Sequence, residues 1–314
     1  MSARPRLSRR RLLAAAGMAA LPAVLGRLAR AAGAAEEPLG RRPIPSSGER
    51  LPVVGIGTAI IFDFENDPAK YAERREVIRA LVAGGGRLID TAAAYGRAED
   101  RLGELVAELG ARDNLFLATK FSSGADRAAA AASMQSSLRR LRTNRVDLMQ
   151  AWNVGDAGYR LEQPREWKRE GLCRYIGITT SSARQYGAMA SVLAREKPDF
   201  LQVNYSLGDR EAESALLPAA RDAGAAVIVN LPFGRNSLFR KAGGRPLPDI
   251  AAEFGARSWA QLFLKFILSH PAVTAVIPGT DKPEYMLDNL QAGRGPLPDA
   301  AMRRRIADYW DSLA

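Results

Sequence analysis

Eight short, continuously apolar runs alternate with stretches of helical pattern along most of this chain, and few folds accept that rhythm. The runs are 53–58, the segment ending at Asp90, 115–120, 146–152, 173–179, 200–205, 226–230 and 273–277. The intervening helices are expected at 68–83, 98–109, 128–141, 164–170, 183–195 and 211–223, then as two pieces at 250–254 and 259–268, with a last one opening at Pro283. Runs apolar at every position mark strands buried on both faces, which is the habit of parallel sheets covered by helices. Such a sheet is either closed or open. An open, doubly wound sheet that binds a dinucleotide wants Gly-x-Gly-x-x-Gly after its first strand. Here Gly55-Ile56-Gly57-Thr58-Ala59-Ile60 lacks the third glycine. Eight units favour an α/β fold of the (β/α)8 TIM-barrel type. The segment 42–51, with Ser46-Ser47-Gly48 at its centre, reads as an N-terminal β-hairpin capping the barrel bottom. Residues 36–314 suit a single domain of this kind.

Residues 1–35 read as an address. Ser8-Arg9-Arg10-Arg11-Leu12-Leu13 is similar to a twin-arginine export signal, an apolar run to Leu25 follows, and Ala29-Arg30-Ala31 and Ala32-Gly33-Ala34 offer cleavage sites. A spanning helix needs about 20 apolar residues, and Arg27 interrupts this run, so no stable membrane anchor is expected. The expectations are export machinery of the twin-arginine type as a partner and a periplasmic or otherwise exported location. Seven arginines precede Ala35, so cleavage there lowers the formal charge from +11 to +4. The basic balance thus belongs largely to the address. No Lys/Arg run interleaved with aromatics remains, which argues against nucleic acid. The one cysteine, Cys173, allows neither an intramolecular disulfide nor a cysteine-based zinc site. It reads as a small buried hydrophobe, and no metal site is expected.

In a closed barrel the C-terminal strand ends line one mouth, and catalytic side chains sit there. Asp90, Tyr95, Lys120, Trp152, Thr179, Gln202, Asn230 and Gly279 all fall at or just past strand ends. Any one of them can simply end a strand, but the set marks a site. Its chemistry is legible in three of them. A tyrosine, with a reference pKa near ~10, is a poor acid at neutral pH. A neighbouring lysine ammonium favours the phenolate, and an aspartate keeps a buried lysine charged. Asp90 and Lys120 can together make Tyr95 a general acid.

These residues lie in a wider pattern: Gly86-Arg87-Leu88-Ile89-Asp90-Thr91-Ala92, Tyr95-Gly96, Glu99, Leu102-Gly103, Thr119-Lys120, Tyr175-Ile176-Gly177-Ile178-Thr179, Gln202-Val203-Asn204-Tyr205-Ser206 and Ile277-Pro278-Gly279-Thr280. In order and spacing it resembles the aldo-keto reductase family, over roughly residues 40 to 295. The resemblance implies NADP (or NAD) lying across the mouth and a hydride passing to the carbonyl carbon of a small aldehyde, ketone or quinone. It gives Tyr95 the role of acid, Lys120 that of tuning it, and Asp90 that of partnering the lysine. The family's histidine at the end of the fourth strand is Trp152 here. Indole donates one N–H but neither accepts nor ionises. The only histidine, His270, stands before Pro271 where a helix gives way to the eighth strand, and reads as structural.

Carried over in the same way, the cofactor positions are Gly57, Thr58, Thr179, Gln202, Asn230, Leu231, Pro232, Gly234, Pro278, Gly279, Thr280, Lys282, Tyr285 and Asn289. Asn230 stands where many members carry an aromatic that stacks on nicotinamide. Tyr285 stands where many carry an arginine for the 2′-phosphate, with Lys282 as a nearby cation and Asp281 beside it keeping NAD open. The helix opening at Pro283 suits phosphate binding through its free N–H groups. Trp152 and Asn230 also motivate a second reading, a non-catalytic cofactor-binding barrel that serves as sensor or subunit. A barrel isomerase or lyase would need a metal or a second acid/base pair, and neither is found. The segments 61–67, 122–126, 154–161 and 234–248, expected as substrate loops, carry no recognisable chemistry.

Overall fold

Most of the barrel strands carry apolar inward side chains in their lower half and polar ones near their upper end, and this division makes the site. The structure, a computed structural model, describes residues 37–313; the expected export signal at 1–35 lies outside them. After a hairpin of β1 (Arg41–Pro43) and β2 (Arg50–Pro52), the eight barrel strands follow. They are β3 (Ile56–Gly57), β4 (Leu88–Asp90), β5 (Phe116–Ser122), β6 (Val146–Trp152), β7 (Cys173–Thr179), β8 (Phe200–Asn204), β9 (Ala226–Asn230) and β10 (Val273–Val276). They pair in chain order, all parallel. The seam between β3 and β10 closes through single bridges, Val54 to Val276 and Gly57 to Gly279. There the Gly55 N–H donates to Val276 O at 2.9 Å and the Gly57 N–H to Pro278 O at 3.2 Å.

Side chains alternate across a strand with period two. Leu88, Phe116, Ala118, Leu148, Tyr175, Phe200, Ala226, Ile228 and Ala275 therefore fill the barrel, with Ile44 and Leu51 of the hairpin plugging it from below. The intervening residues, among them Ile89, Leu117, Met149, Ile176, Ile178, Leu201, Val203, Val227 and Val229, face outward into a second core under the helices. Each large apolar side chain fully buried in this way stabilises by roughly 1.5–3 kcal/mol. One step further along the inward rows come Asp90, Lys120, Gln150 then Trp152, Thr179, Gln202 and Asn230.

Four of the helices begin at a side-chain cap, Asp67, Asp126, Ser258 or Asp299. In α1 (Pro68–Ala83) Asp67 accepts the Lys70 N–H and Pro68 takes the first position. The others are α2 (Ala98–Glu108), α3 (Arg127–Arg140), α4 (Glu162–Arg169), α5 (Tyr186–Glu196), α6 (Leu216–Ala223), α7 (Ser237–Ala242), α8 (Ile250–Glu253), α9 (Trp259–Leu268), α10 (Pro283–Gln291) and α11 (Ala300–Ser312). The segments expected as helices from 183 and 211 each start as a 3-10 turn, Ala183–Gln185 and Glu211–Glu213. The loop expected at 234–248 contains α7. The last helix, α11, lay outside the sequence expectation; it packs Ile306 and Trp310 inward, with Trp310 edge-on to Phe263 at 5.3 Å. No helix of the described residues is long and apolar enough to cross a membrane.

Candidate active site

The mouth is built around one carboxylate. Asp90 closes β4 and is buried. Its Oδ2 receives the Lys120 ammonium at 2.5 Å, and the same ammonium donates to Thr91 O at 2.8 Å. Lys120 is 4 % exposed. Burial by itself pushes its pKa down, but Asp90 and then Tyr95 outweigh that, and the value is raised. The lysine therefore stays a cation, 4.8 Å from the centre of the Tyr95 ring.

The other oxygen of Asp90 is held by two amides. Gln202 Nε2 donates to Oδ1 at 2.7 Å and Gln150 Nε2 at 3.1 Å, and Gln202 Nε2 also reaches Gln150 Oε1 at 3.3 Å. Gln202 Oε1 accepts from Thr179 Oγ1 at 3.2 Å and from Asn230 Nδ2 at 3.3 Å. Six strands thus contribute to one buried network. Gln150 was not expected. Its signal is a polar residue at an inward position of β6, one layer below Trp152.

Tyr95 sits half-buried on the loop after β4. Its N–H donates to Ala92 O at 3.0 Å. Gly96, at φ 55°, then turns the chain. A Cβ there would meet the Asp63 carboxylate at 2.2 Å, because Asp63 Oδ1 accepts the Arg97 N–H at 2.9 Å. Asp63, in a segment expected only as a substrate loop, therefore locks the turn that carries Tyr95. Trp152 ends β6, half-buried, in register with Ser122 and Thr179. Its indole N–H has no hydrogen-bond partner among the described residues. His270 lies far from this mouth, at the N-terminal end of β10, with its ring 6.0 Å from that of Tyr205; burial lowers its pKa.

The expected cofactor positions form an arc along the rim. Gly57 bridges to Gly279 across the seam, beside Pro278 and Thr280, while the next residue, Thr58, donates its N–H to Asp90 O at 2.9 Å. Asn289 donates from α10 to Thr280 Oγ1 at 2.9 Å, both residues being buried. Lys282 precedes α10 with its ammonium 5.6 Å over the exposed ring of Tyr285. Leu231, Pro232 and Gly234 form the turn after β9, closed by Gly234 N–H to Leu231 O at 2.9 Å. Phe233 packs on Phe239 and Phe263, at 4.9 and 6.4 Å, and so belongs to an aromatic cluster. A staple joins the first and last of these loops: buried Arg74 donates to Ile61 O at 2.8 Å and to Asp281 O at 2.5 Å.

A ligand fit can be tested on unsatisfied atoms. Thr58 Oγ1, Thr91 Oγ1 and Asn230 Oδ1 are buried without a hydrogen-bond partner among the described residues. All three lie at or just past strand ends on the mouth side. Buried polar groups are ordinarily paired, so a rim with three orphans suits a ligand rich in donors and acceptors, as a dinucleotide is. Among the described residues no three His, Cys, Asp or Glu converge as metal ligands.

Similarity to known proteins agrees with this frame. The chain is 34% identical to the aldo-keto reductase YhdN of Bacillus subtilis over 194 residues, 57% of this chain and 57% of that protein. It is 26% identical to the aldo-keto reductase ausK of Emericella nidulans over 321 residues, covering 83% of this chain and 80% of that one. An aldo/keto reductase from Klebsiella pneumoniae, solved in complex with NADP and acetate, superposes with a TM-score of 0.70 at 25% identity, over 84% of this chain and 93% of the other. The sequence profile of the aldo/keto reductase family matches residues 53–307, and the chain belongs to that family.

Proposed function

We propose that this protein is an NAD(P)H-dependent oxidoreductase that reduces an aldehyde, ketone or quinone carbonyl, with Tyr95 as proton donor. The observation that carries the proposal is the buried Lys120 ammonium held between Asp90 and the Tyr95 ring. NADP is the expected cofactor, since relatives solved with NADP share the fold, and it supplies the hydride when bound. The residues do the rest. Asp90, satisfied by Gln150 and Gln202, keeps Lys120 charged. Lys120 stabilises negative charge on Tyr95 Oη as the proton leaves, which is the condition for a phenol to act as an acid near neutrality. Asp63 and Gly96 hold the phenol in place. Trp152 offers one N–H to the carbonyl oxygen and, being neutral at every working pH, no proton.

Titration of the protein with NADPH and NADH, followed by a carbonyl panel with wild type and Tyr95→Phe, tests this. Dinucleotide binding with turnover that Tyr95→Phe abolishes supports it. Binding without any turnover favours the sensor reading, for which the observation is Trp152 in place of an ionisable group. Absence of binding withdraws both. We further propose that residues 1–35 direct export of the folded, cofactor-loaded chain. Retention in the cytoplasm of an Arg9→Lys, Arg10→Lys, Arg11→Lys variant, with export of the wild type, supports that; no export of the wild type overturns it.

A further inference from the structure

We propose that Glu99 is a positioning residue for the reduction: from the outer side of β5 it fixes how closely Tyr95 stands to Lys120. The proposal rests on the reading of Tyr95 as proton donor above and adds a residue that lies outside the mouth. Glu99 stands in the first turn of α2 and is 1 % exposed. Thr119 Oγ1 donates to its Oε1 at 2.5 Å. Arg140, the last residue of α3, donates to its Oε2 from Nε at 2.8 Å and from Nη2 as well. Burying a carboxylate is costly unless it is paired. Here the pairing yields a bond with one direction, from helix to strand.

Each end of this brace meets one member of the acid pair. Thr119 is the chain neighbour of Lys120, and successive strand residues face opposite sides. Thr119 therefore points outward, in the row of Leu117 and Phe121, while Lys120 points into the barrel. At the other end, the Tyr95 carbonyl accepts the N–H of Ala98, the residue before Glu99 and the first of α2, at 3.0 Å. The path closes on itself: Tyr95 to Ala98, Glu99 to Thr119, and the Lys120 ammonium back to the Tyr95 ring. Arg140 reaches the carboxylate because α2 and α3 touch at Gly103, one turn on from Glu99, where a Cβ would stand 2.1 Å from Arg140 O. The attraction between an ammonium and a developing phenolate weakens with distance, so a brace that sets this spacing acts on the proton transfer.

The test separates positioning from plain support. Thr119→Val keeps the shape of the side chain and removes its hydroxyl. We expect it to lower kcat about tenfold, since small misplacements of a catalytic group are costly on that scale, with the KM for the carbonyl and the affinity for NADPH unchanged. Thr119→Ser returns the hydroxyl and should return kcat. If Thr119→Val does not fold, Thr119→Ala is measured in its place, with the same expectations. A wild-type kcat in the variant without the hydroxyl overturns the proposal, whatever its stability. So does a loss of kcat shared by Thr119→Ser, or a loss of NADPH affinity as large as the loss in kcat, since either marks general damage. Wild type that turns over no carbonyl fells the parent reading, and this one with it. Wild type that does, with Thr119→Val its equal, fells this one alone.

Discussion

Gln202 on β8 and Asp90 on β4 share a 2.7 Å hydrogen bond although their strands stand on opposite sides of an eight-stranded barrel. The bond spans the lumen, so the geometry of the proposed acid depends on residues far round the ring. Asp90→Asn would leave Lys120 buried beside no countercharge. The expected cost is about 3–5 kcal/mol, read as a lower midpoint in urea. Gln150→Leu removes one of two donors from Asp90 Oδ1 and should cost about 1–2 kcal/mol. Turnover should fall by more than the affinity for NADPH, since Gln150 bonds Asp90 and Gln202 and is separated from the rim by the layer above it.

Gly96→Ala should be more damaging than its size suggests. The backbone there is left-handed, which costs a non-glycine residue roughly 1–2 kcal/mol, and the new methyl would strike Asp63. We expect a loss of 2 kcal/mol or more and a drop in kcat as Tyr95 moves. Asp63→Ala should relieve the clash in the double variant without restoring kcat, because the Arg97 N–H then loses its acceptor.

Stability should fall in acid through Glu196. Burial alone would raise its pKa, but bonds from Arg165, Arg160, the Leu161 N–H and Arg195 hold it at about 2, below the ordinary 4.5. A depressed carboxylate stabilises the fold above its unfolded value and ceases to as pH drops through its folded one. The contribution, up to about 3 kcal/mol, should be complete above pH 4.5 and vanish toward pH 2. In Glu196→Gln, denaturation midpoints measured across that window should lose this component of their slope.

The thiol of Cys173 should be inert in the native protein. Burial pushes its pKa up to about 12, with Lys168 opposing and Asp199 adding to the shift. Thiolate is the reactive form, so a disulfide reagent at pH 8 should label no thiol in the folded chain and one in denaturant.

The bounds of β6, β7 and β9, and of α1 and α9, match their sequence readings residue for residue. The strands are mostly apolar runs with sharp ends, and the helices open at Asp67-Pro68 and Ser258, which are strong local signals. The seam strand is the exception: 53–58 reads as six strand residues and only Ile56–Gly57 pair regularly. The helix α11 escaped because two buried residues in thirteen make a faint stripe. In the site, Asp90, Tyr95 and Lys120 were legible from residue type at strand ends. Gln150 and Asp63 were not. Each acts through a partner more than thirty positions away, on a carboxylate and on a backbone N–H, and neither contact leaves a local pattern.

The seam has a mechanical meaning. Seven of the eight strand junctions are runs of paired residues; the eighth is two isolated bridges, Val54 to Val276 and Gly57 to Gly279, with the Arg74 staple beyond them. A cylinder with one thin junction splits there first. The rim residues assigned to the dinucleotide, Gly57, Thr58, Gly279 and Thr280, straddle that line. A reagent bound across it would also be a clasp, and the barrel would breathe each time the spent dinucleotide leaves. Exchange of the Gly55 and Gly57 amide hydrogens, which donate across the seam, should slow when NADPH is present and quicken as it departs.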